Sequence, residues 1–220
     1  MKKLYGIGTG PGAADLLTIR AAKIISGAAV IFAPNNKGTN MALDTVDEFI
    51  GDKRVVLIDF HMGNVTNEDY NRAAEIIYTE IPEGEYGAFL TIGDSMIYST
   101  FIYIMNELED KNIEIEIVPG IPSFVAAASA SKIPLTVKGD AFLLCDEYNE
   151  DLVDSISSIA ILKTFKNKKE ILYSLEEKDF NYMYVKRASM TTQEILENKE
   201  DILKDKDYIS LLLGRKQEDK

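Results

Sequence analysis

The chain is poor in the residues that most often carry metal or redox chemistry. It has a single cysteine, Cys145, and a single histidine, His61, among 220 residues. One cysteine excludes an internal disulfide framework and suits a reducing, cytoplasmic compartment. With no Cys/His cluster, no protein-held metal is expected. Cys145 lies in the apolar run Ala141-Phe142-Leu143-Leu144-Cys145, which reads as a buried strand thiol rather than a nucleophile. His61 follows a strand end at Asp59-Phe60 and reads as a turn or packing residue. No segment approaches the ~20 consecutive apolar residues of a membrane span. The first apolar residues are broken by glycines and then Asp15, unlike a secretory signal. There is no internal repeat or low-complexity stretch. Excess positive charge is missing as well: a formal net charge of −12 argues against generic binding to nucleic acid. An anionic small molecule stays open, because a local group of Arg and Lys can outweigh the average field.

What is present is an ordinary globular composition, 46% hydrophobic and 27% charged, arranged in alternating strand and helix patterns. Strands are expected near Leu4–Ile7, Ala29–Ala33, Arg54–Asp59, Tyr86–Ile92 and Ile113–Ile117. Between them run helical faces, such as Leu17, Ala21, Ile24, Ile25 and Ala28, with Thr18 as cap and Gly27 as stop. A helix is expected over Met41–Ile50, another after Asn67, and a third with Ile97, Phe101, Ile104 and Leu108 on one face. This rhythm predicts a largely parallel sheet covered on both faces. After a short Ala-rich helix (Phe124–Ser131), more polar helices alternate with strands near Ala141–Cys145, Ile159–Lys163, Tyr182–Lys186 and Tyr208–Leu213. The change of texture predicts an N-terminal α/β domain over 1–120 and a C-terminal α/β domain over 121–220. Glu218-Asp219-Lys220 is expected to fray.

Four Gly/Pro-centred turns fall where apolar strands give way to helices. They are Tyr5-Gly6-Ile7-Gly8-Thr9-Gly10-Pro11-Gly12, Ile92-Gly93-Asp94-Ser95, Ile97-Tyr98-Ser99-Thr100 and Val118-Pro119-Gly120-Ile121-Pro122-Ser123. Such turns let a ligand approach bare backbone and free helix N–H groups, and several together imply one cleft at the strand ends of an α/β sheet. The first cluster is not a dinucleotide fingerprint: Pro11-Gly12 occupies the start of the would-be phosphate helix, and the next strand ends Val30-Ile31-Phe32-Ala33-Pro34 without a ribose-binding carboxylate. No Gly-Lys-Ser/Thr follows, so it is not a Walker loop. Taken singly each turn has a structural reading: close strand–helix packing for the glycines, a helix cap for Asp94, a first helical turn for Tyr98-Ser99-Thr100. Their order and spacing are the informative part.

In that order, Gly6-x-Gly8-x-Gly10-Pro11-Gly12 with Leu16-Leu17-Thr18, then Gly93-Asp94, Val118-Pro119-Gly120-Ile121 and Ile133-Pro134-Leu135, the chain resembles the tetrapyrrole methylases, S-adenosylmethionine-dependent enzymes of the cobalamin and sirohaem pathways. The resemblance is colinear over essentially the full length. It implies two α/β domains, the first with a mostly parallel and the second with a mixed sheet, a homodimer, and a cofactor cleft between the domains. Met96-Ile97-Tyr98-Ser99-Thr100-Phe101, Ile31-Phe32-Ala33-Pro34, the Pro119–Ala128 segment and Val185-Lys186-Arg187-Ala188-Ser189-Met190 resemble the branch that methylates carbon 20 of precorrin-2 or cobalt-precorrin-2. Methylation at another ring carbon or of uroporphyrinogen III, and a non-catalytic tetrapyrrole- or nucleotide-binding member, stay open beside it. So does the presence of cobalt in the substrate.

By the same resemblance Gly93, Asp94, Ile97, Ser99, Thr100 and Ser123 line the S-adenosylmethionine pocket, and Leu162, Ala188 and Leu211, with Ser210, close it. Gly8, Gly10, Pro11 and Gly12 line a tetrapyrrole trough. Arg20, Lys37, Lys163 and Arg187 are candidates for the substrate's carboxylates, with solvated surface charge as the alternative for each. No covalent nucleophile is expected, and Tyr98 and Asp94 are the candidates to help remove the meso proton. Three positions depart from the family pattern: Ser95 stands where a proline is usual, Pro122, without an N–H to donate, where a small hydroxyl residue or glycine is usual, and Lys186 where a glutamate is common.

Overall fold

A computed structural model describes residues 1–35, 40–60, 65–164 and 166–217. The chain divides into two compact units, Met1–Pro122 and Ser123–Lys220.

In the first unit five strands form one parallel sheet: β1 (Lys2–Gly8), β2 (Val30–Pro34), β3 (Arg54–Ile58), β4 (Tyr86–Thr91) and β5 (Ile113–Val118). Their order is β3-β2-β4-β1-β5. Parallel strands need helical crossovers, so both faces are covered and the central strands are apolar on both sides. Leu4, Phe32 and Phe89 pack with Ala73, Ala74 and Ile77 of α4 (Asn67–Glu80) and Phe101 and Ile104 of α5 (Thr100–Glu107). Ile7, Ile31, Ala88 and Leu90 face the other way, onto Ala21 and Ile25 of α1 (Ile19–Gly27), Ala42 of α2 (Met41–Thr45) and Ile50 of α3 (Asp47–Ile50). On the edge strand β5 two glutamates are tied back, because Lys3 Nζ sits 2.7 Å from Glu114 and 2.8 Å from Glu116.

Two expectations are revised, and a third holds for a different reason. The helix over Met41–Ile50 is two helices, interrupted at Val46 (φ −113°, ψ 12°). Ile97 is not helical: α5 starts at Thr100, because Tyr98 adopts a left-handed φ of 46° and Ser99 Oγ caps the helix by accepting Phe101 N–H at 3.0 Å. Gly27 ends α1, but its φ is not left-handed. It is glycine because a Cβ there would lie 2.2 Å from the Tyr86 hydroxyl, which donates to Ile24 O.

The second unit opens with α6 (Ser123–Ser131) and builds a mixed sheet in the order β6-β7-β10-β8-β9. Its strands are β6 (Phe142–Cys145), β7 (Ser158–Leu162), β8 (Phe180–Lys186), β9 (Glu194–Leu196) and β10 (Ser210–Lys216). β6 and β7 are parallel, whereas β10 runs antiparallel to both β7 and β8. One face packs on α7 (Lys168–Glu177) and α8 (Lys199–Lys204) through Ile161, Tyr184, Leu212, Leu172 and Ile202; the other packs on Ala127 and Ala128 of α6. The three-residue β9 is too short to leave a periodic signal and is absent from the sequence reading.

Candidate functional site

The glycine turns of the first unit meet at the C-terminal ends of its three adjacent strands β4, β1 and β5. Gly10 and Gly93 exchange both backbone hydrogen bonds, at 3.1 and 2.7 Å. A Cβ on Gly120 would lie 2.1 Å from Gly93 O and 2.6 Å from the Gly8 carbonyl carbon, and one on Gly8 would lie 2.5 Å from Gly120 N. Three chains therefore touch backbone to backbone, a closeness only glycine permits. Asp94 locks the arrangement: Oδ2 accepts Gly120 N–H at 2.9 Å and Oδ1 accepts Met96 N–H at 2.8 Å. Its carboxylate thus joins two turns instead of capping α5. Beside it Gly93 is buried at φ 75°, and a Cβ there would make only ordinary contact with Pro122 Cα, at 3.9 Å.

Around this junction the predicted residues take different places. Gly8, Gly10 and Pro11 are buried and Gly12 is half-buried, its carbonyl accepting from Thr45 Oγ1 at 3.4 Å. Gly6, in the same cluster, serves packing: a Cβ would strike the Phe101 ring. Ile97 and Thr100 are half-buried, the latter opening α5. Ser99 is buried and its hydroxyl serves as the cap, 3.5 Å from Thr91 Oγ1. Tyr98 is 46% exposed on its strained backbone. Ser95 is fully buried, and its hydroxyl has no partner among the described residues. Arg20 pairs with Glu116. Lys37 and His61 lie outside the described residues.

In the second unit the predicted residues gather at one end of the sheet, where β7 and β8 finish and β10 begins. Leu211 pairs with Leu162 on one side and Val185 on the other, and Ser210 pairs with Lys186. The Ala188 and Leu211 side chains are buried against α6, with Leu162 half-buried beside them, so Ala188 and Leu211 can offer a ligand backbone only. Ser123 opens α6 and is half-buried. Three residues at this end have left-handed φ without being glycine: Lys163 (54°) after β7, and Arg187 (47°) and Ser189 (70°) after β8. Such strain persists where surroundings over-determine it, commonly at functional sites. Lys163 is exposed and makes no ion pair among the described residues. Arg187 is held by Asp207 at 2.8 Å.

Behind this end lies a polar network that the sequence reading missed. Lys186 Nζ lies 2.8 Å from Asp205 and 2.6 Å from Glu194. The Tyr184 hydroxyl donates to Asp205 Oδ1 at 3.2 Å. Burial pushes the Asp205 carboxyl up, but the Lys186 ammonium, the Asp207 N–H and the Tyr184 hydroxyl outweigh it and hold it below its usual value. Hydrogen bonds from Asp205 and then Glu194 raise Lys186. Burial moves the Tyr184 phenol up to about 12. Cys145, buried, has its thiol pushed up to about 11 by desolvation, the state of an inert core thiol. Among the described residues no group of His, Cys, Asp and Glu is placed to hold a metal ion, and no helix is long and apolar enough to cross a membrane.

The profile of the tetrapyrrole (corrin/porphyrin) methylases matches residues 3–203. A protein of Methanocaldococcus jannaschii described as "Probable cobalt-precorrin-2 C(20)-methyltransferase" is 34% identical, covering 97% of this chain and 96% of its own. The cobalt-precorrin-2 C(20)-methyltransferase of Salmonella typhimurium is 31% identical over 74% of this chain and 73% of its own. Among solved structures, the uroporphyrin-III C-methyltransferase of Thermus thermophilus in complex with S-adenosylhomocysteine superposes with a TM-score of 0.72 at 18% identity, covering 97% of each chain.

Proposed function

The chain belongs to the tetrapyrrole (corrin/porphyrin) methylase family, and on that premise we propose that it transfers a methyl group from S-adenosylmethionine to carbon 20 of cobalt-precorrin-2, a step of corrin-ring synthesis. The likeness to the relatives that carry this activity in their names, near full length for one of them, carries the reading.

The site chemistry agrees with it. A meso carbon of a reduced tetrapyrrole is already electron-rich through its pyrrole nitrogens, so the protein needs no nucleophile of its own; it has to hold two large ligands in near-attack geometry and exclude water. S-adenosylmethionine supplies the electrophilic methyl when bound. The residues fit such a ligand: the Thr100 and Ser123 hydroxyls stand at the first positions of two helices, where they serve as hydrogen-bond partners for its methionine end. We assign Gly93, Asp94, Ile97, Ser99, Thr100 and Ser123 to cofactor contact, Ser99 and Asp94 through the backbone they order. In the second unit we assign Leu162, Ala188 and Leu211, the last two through main-chain groups. Gly8, Gly10, Pro11 and Gly12 are assigned to the macrocycle, whose breadth bare backbone admits.

The substrate's carboxylates require local positive charge on an acidic chain. Lys163 is exposed for this role. Arg20 and Arg187 reach it only by sharing their guanidinium groups with Glu116 and Asp207. Tyr98, exposed beside the Gly93–Asp94 turn, is our candidate to help remove the meso proton. We further assign the two domains to 1–120 and 121–220, the assembly to a homodimer and the compartment to the cytoplasm, on the family resemblance.

An anaerobic mass-spectrometric assay offering S-adenosylmethionine with precorrin-2, cobalt-precorrin-2 or uroporphyrinogen III tests this. One added methyl on cobalt-precorrin-2 is expected. Methylation of uroporphyrinogen III alone overturns the ring position, and transfer to none of the three favours a binding member.

A further inference from the structure

Two consecutive cations at the end of β8 meet two alternating aspartates in the loop 205–209, entirely within the second unit. Asp205 Oδ1 accepts Asp207 N–H at 2.8 Å, and Asp207 Oδ1 accepts Ile209 N–H at 3.0 Å. These are two Asx turns in series, which set the curvature of the loop. Each aspartate then spends its second oxygen on a cation: Asp205 Oδ2 on Lys186 and Asp207 Oδ2 on Arg187, both at 2.8 Å. The backbone joins the same two segments, Arg187 N–H donating to Ile209 O at 2.9 Å. Entry to the loop is anchored by the buried Lys168, whose Nζ donates to Ile202 O at 2.5 Å and to Asp205 O at the C-terminal end of α8.

This double clamp bears on the strained exit from β8. Arg187 (φ 47°) and Ser189 (φ 70°) flank Ala188, and a non-glycine residue holds a left-handed conformation only at an energetic cost. The Arg187 backbone is itself bonded, its N–H to Ile209 O and its carbonyl to Met190 N–H at 3.0 Å; the Asp207 ion pair adds the hold on its side chain, and losing it lets Arg187 shift within those bonds and turn the Ala188 peptide groups. The Ala188 side chain is buried, so the direction of those peptide groups is all it presents.

We propose that Asp207, seconded by Asp205, is a positioning residue: through Arg187 it aims the Ala188 backbone and thereby sets the affinity for S-adenosylmethionine. The inference rests on the assignment of Ala188 to cofactor contact made above. Asp207 touches no ligand in this account. A merely structural strap lowers the unfolding midpoint but leaves the folded protein's affinity alone, whereas a positioning residue moves the affinity.

The test is calorimetric titration of the full chain with S-adenosylhomocysteine, for the parent and for Asp207→Asn, Asp205→Asn, Arg187→Gln and the exposed control Asp154→Asn. Asp207→Asn, which keeps an acceptor for Ile209 N–H but loses the charge, is expected to raise Kd about tenfold, and Asp205→Asn about threefold, the scale at which small misplacements act. Steady-state KM for S-adenosylmethionine rises in parallel while kcat at saturating cofactor stays within about twofold, as for lost uniform binding. Arg187→Gln raises Kd as well, and the double variant Asp207→Asn/Arg187→Gln is no weaker than the worse single one, the non-additivity expected of one coupled pair. Parent-like Kd in both Asp207→Asn and Arg187→Gln overturns the inference; should Asp207→Asn not fold, parent-like Kd in Arg187→Gln overturns it alone. A parent protein that binds no S-adenosylhomocysteine overturns the cofactor reading beneath it, a distinct result.

Discussion

At the ends of β1, β4 and β5 in the first unit the chain turns on Gly8, Gly93 and Gly120, whose backbones touch because no side chain stands between them. At the ends of β7 and β8 in the second unit it turns on Lys163, Arg187 and Ser189, left-handed residues that carry side chains, the second of them tied to an aspartate. The first unit removes atoms to shape its strand ends; the second adds charges and pairs them. The two solutions differ in how they fail. Backbone-to-backbone contact has no soft partner, so a single methyl breaks it. A network of paired charges yields gradually and responds to pH.

The largest expected effect is therefore Gly120→Ala. Its Cβ meets Gly93 O at 2.1 Å and the Gly8 carbonyl carbon at 2.6 Å, all backbone, and the change is expected to cost about 3 kcal/mol, the upper range of overpacking, read from urea unfolding. A midpoint within error of the parent breaks the comparison on the glycine side. Asp205→Ala comes next. It strips Lys186 of one of two carboxylate partners and the Tyr184 hydroxyl of its acceptor, for an expected loss of about 2 kcal/mol. The sign with pH follows from the lowered carboxyl: the stabilisation is present above the usual carboxyl value of 3.8 and is lost as pH falls through the native one. Lys186, raised above 10.5, contributes stability that is full below that value and is lost at higher pH. Acid unfolding of the parent and of Asp205→Ala therefore converges at low pH.

Cys145 sharpens the contrast within the second unit, since it is buried and burial is the largest influence on its thiol. With the native thiol near 11 against 9.0 when unfolded, alkylation at pH 8 is expected to run about a hundredfold slower in native protein than in urea, following the thiolate fraction. Stability declines between those two values, because only the unfolded thiol releases its proton there. Equal labelling rates in the two states contradict the burial. The smallest effect is at Asp154, 75% exposed and paired with Lys178, where Asp154→Asn is expected to leave the unfolding midpoint unmoved, as exposed ion pairs generally do.

Much of this could be read before the structure. Apolar runs and helical faces located the five strands of the first sheet, since parallel strands buried on both faces leave continuous apolar signals. The Gly8, Gly93 and Gly120 turns were legible as places of close backbone approach, which glycine at a strand end marks. Val46 was not legible as a helix break, nor Tyr98 as a residue outside α5, because neither is a conformationally distinctive residue type. The antiparallel entry of β10 between β7 and β8 was invisible locally, as pairing across some fifty residues leaves no local pattern. The partners of Lys186 and Arg187 were hidden for the same reason: Asp205 and Asp207, in a polar loop, look like solvated surface until the fold sets them against those two cations.

The central claim is methyl transfer to one ring carbon. It is tested most directly by incubating the protein anaerobically with cobalt-precorrin-2 and S-adenosylmethionine carrying a 13C-labelled methyl, then assigning the labelled position by NMR. The account predicts a single enriched methyl on carbon 20; enrichment at any other ring carbon contradicts it.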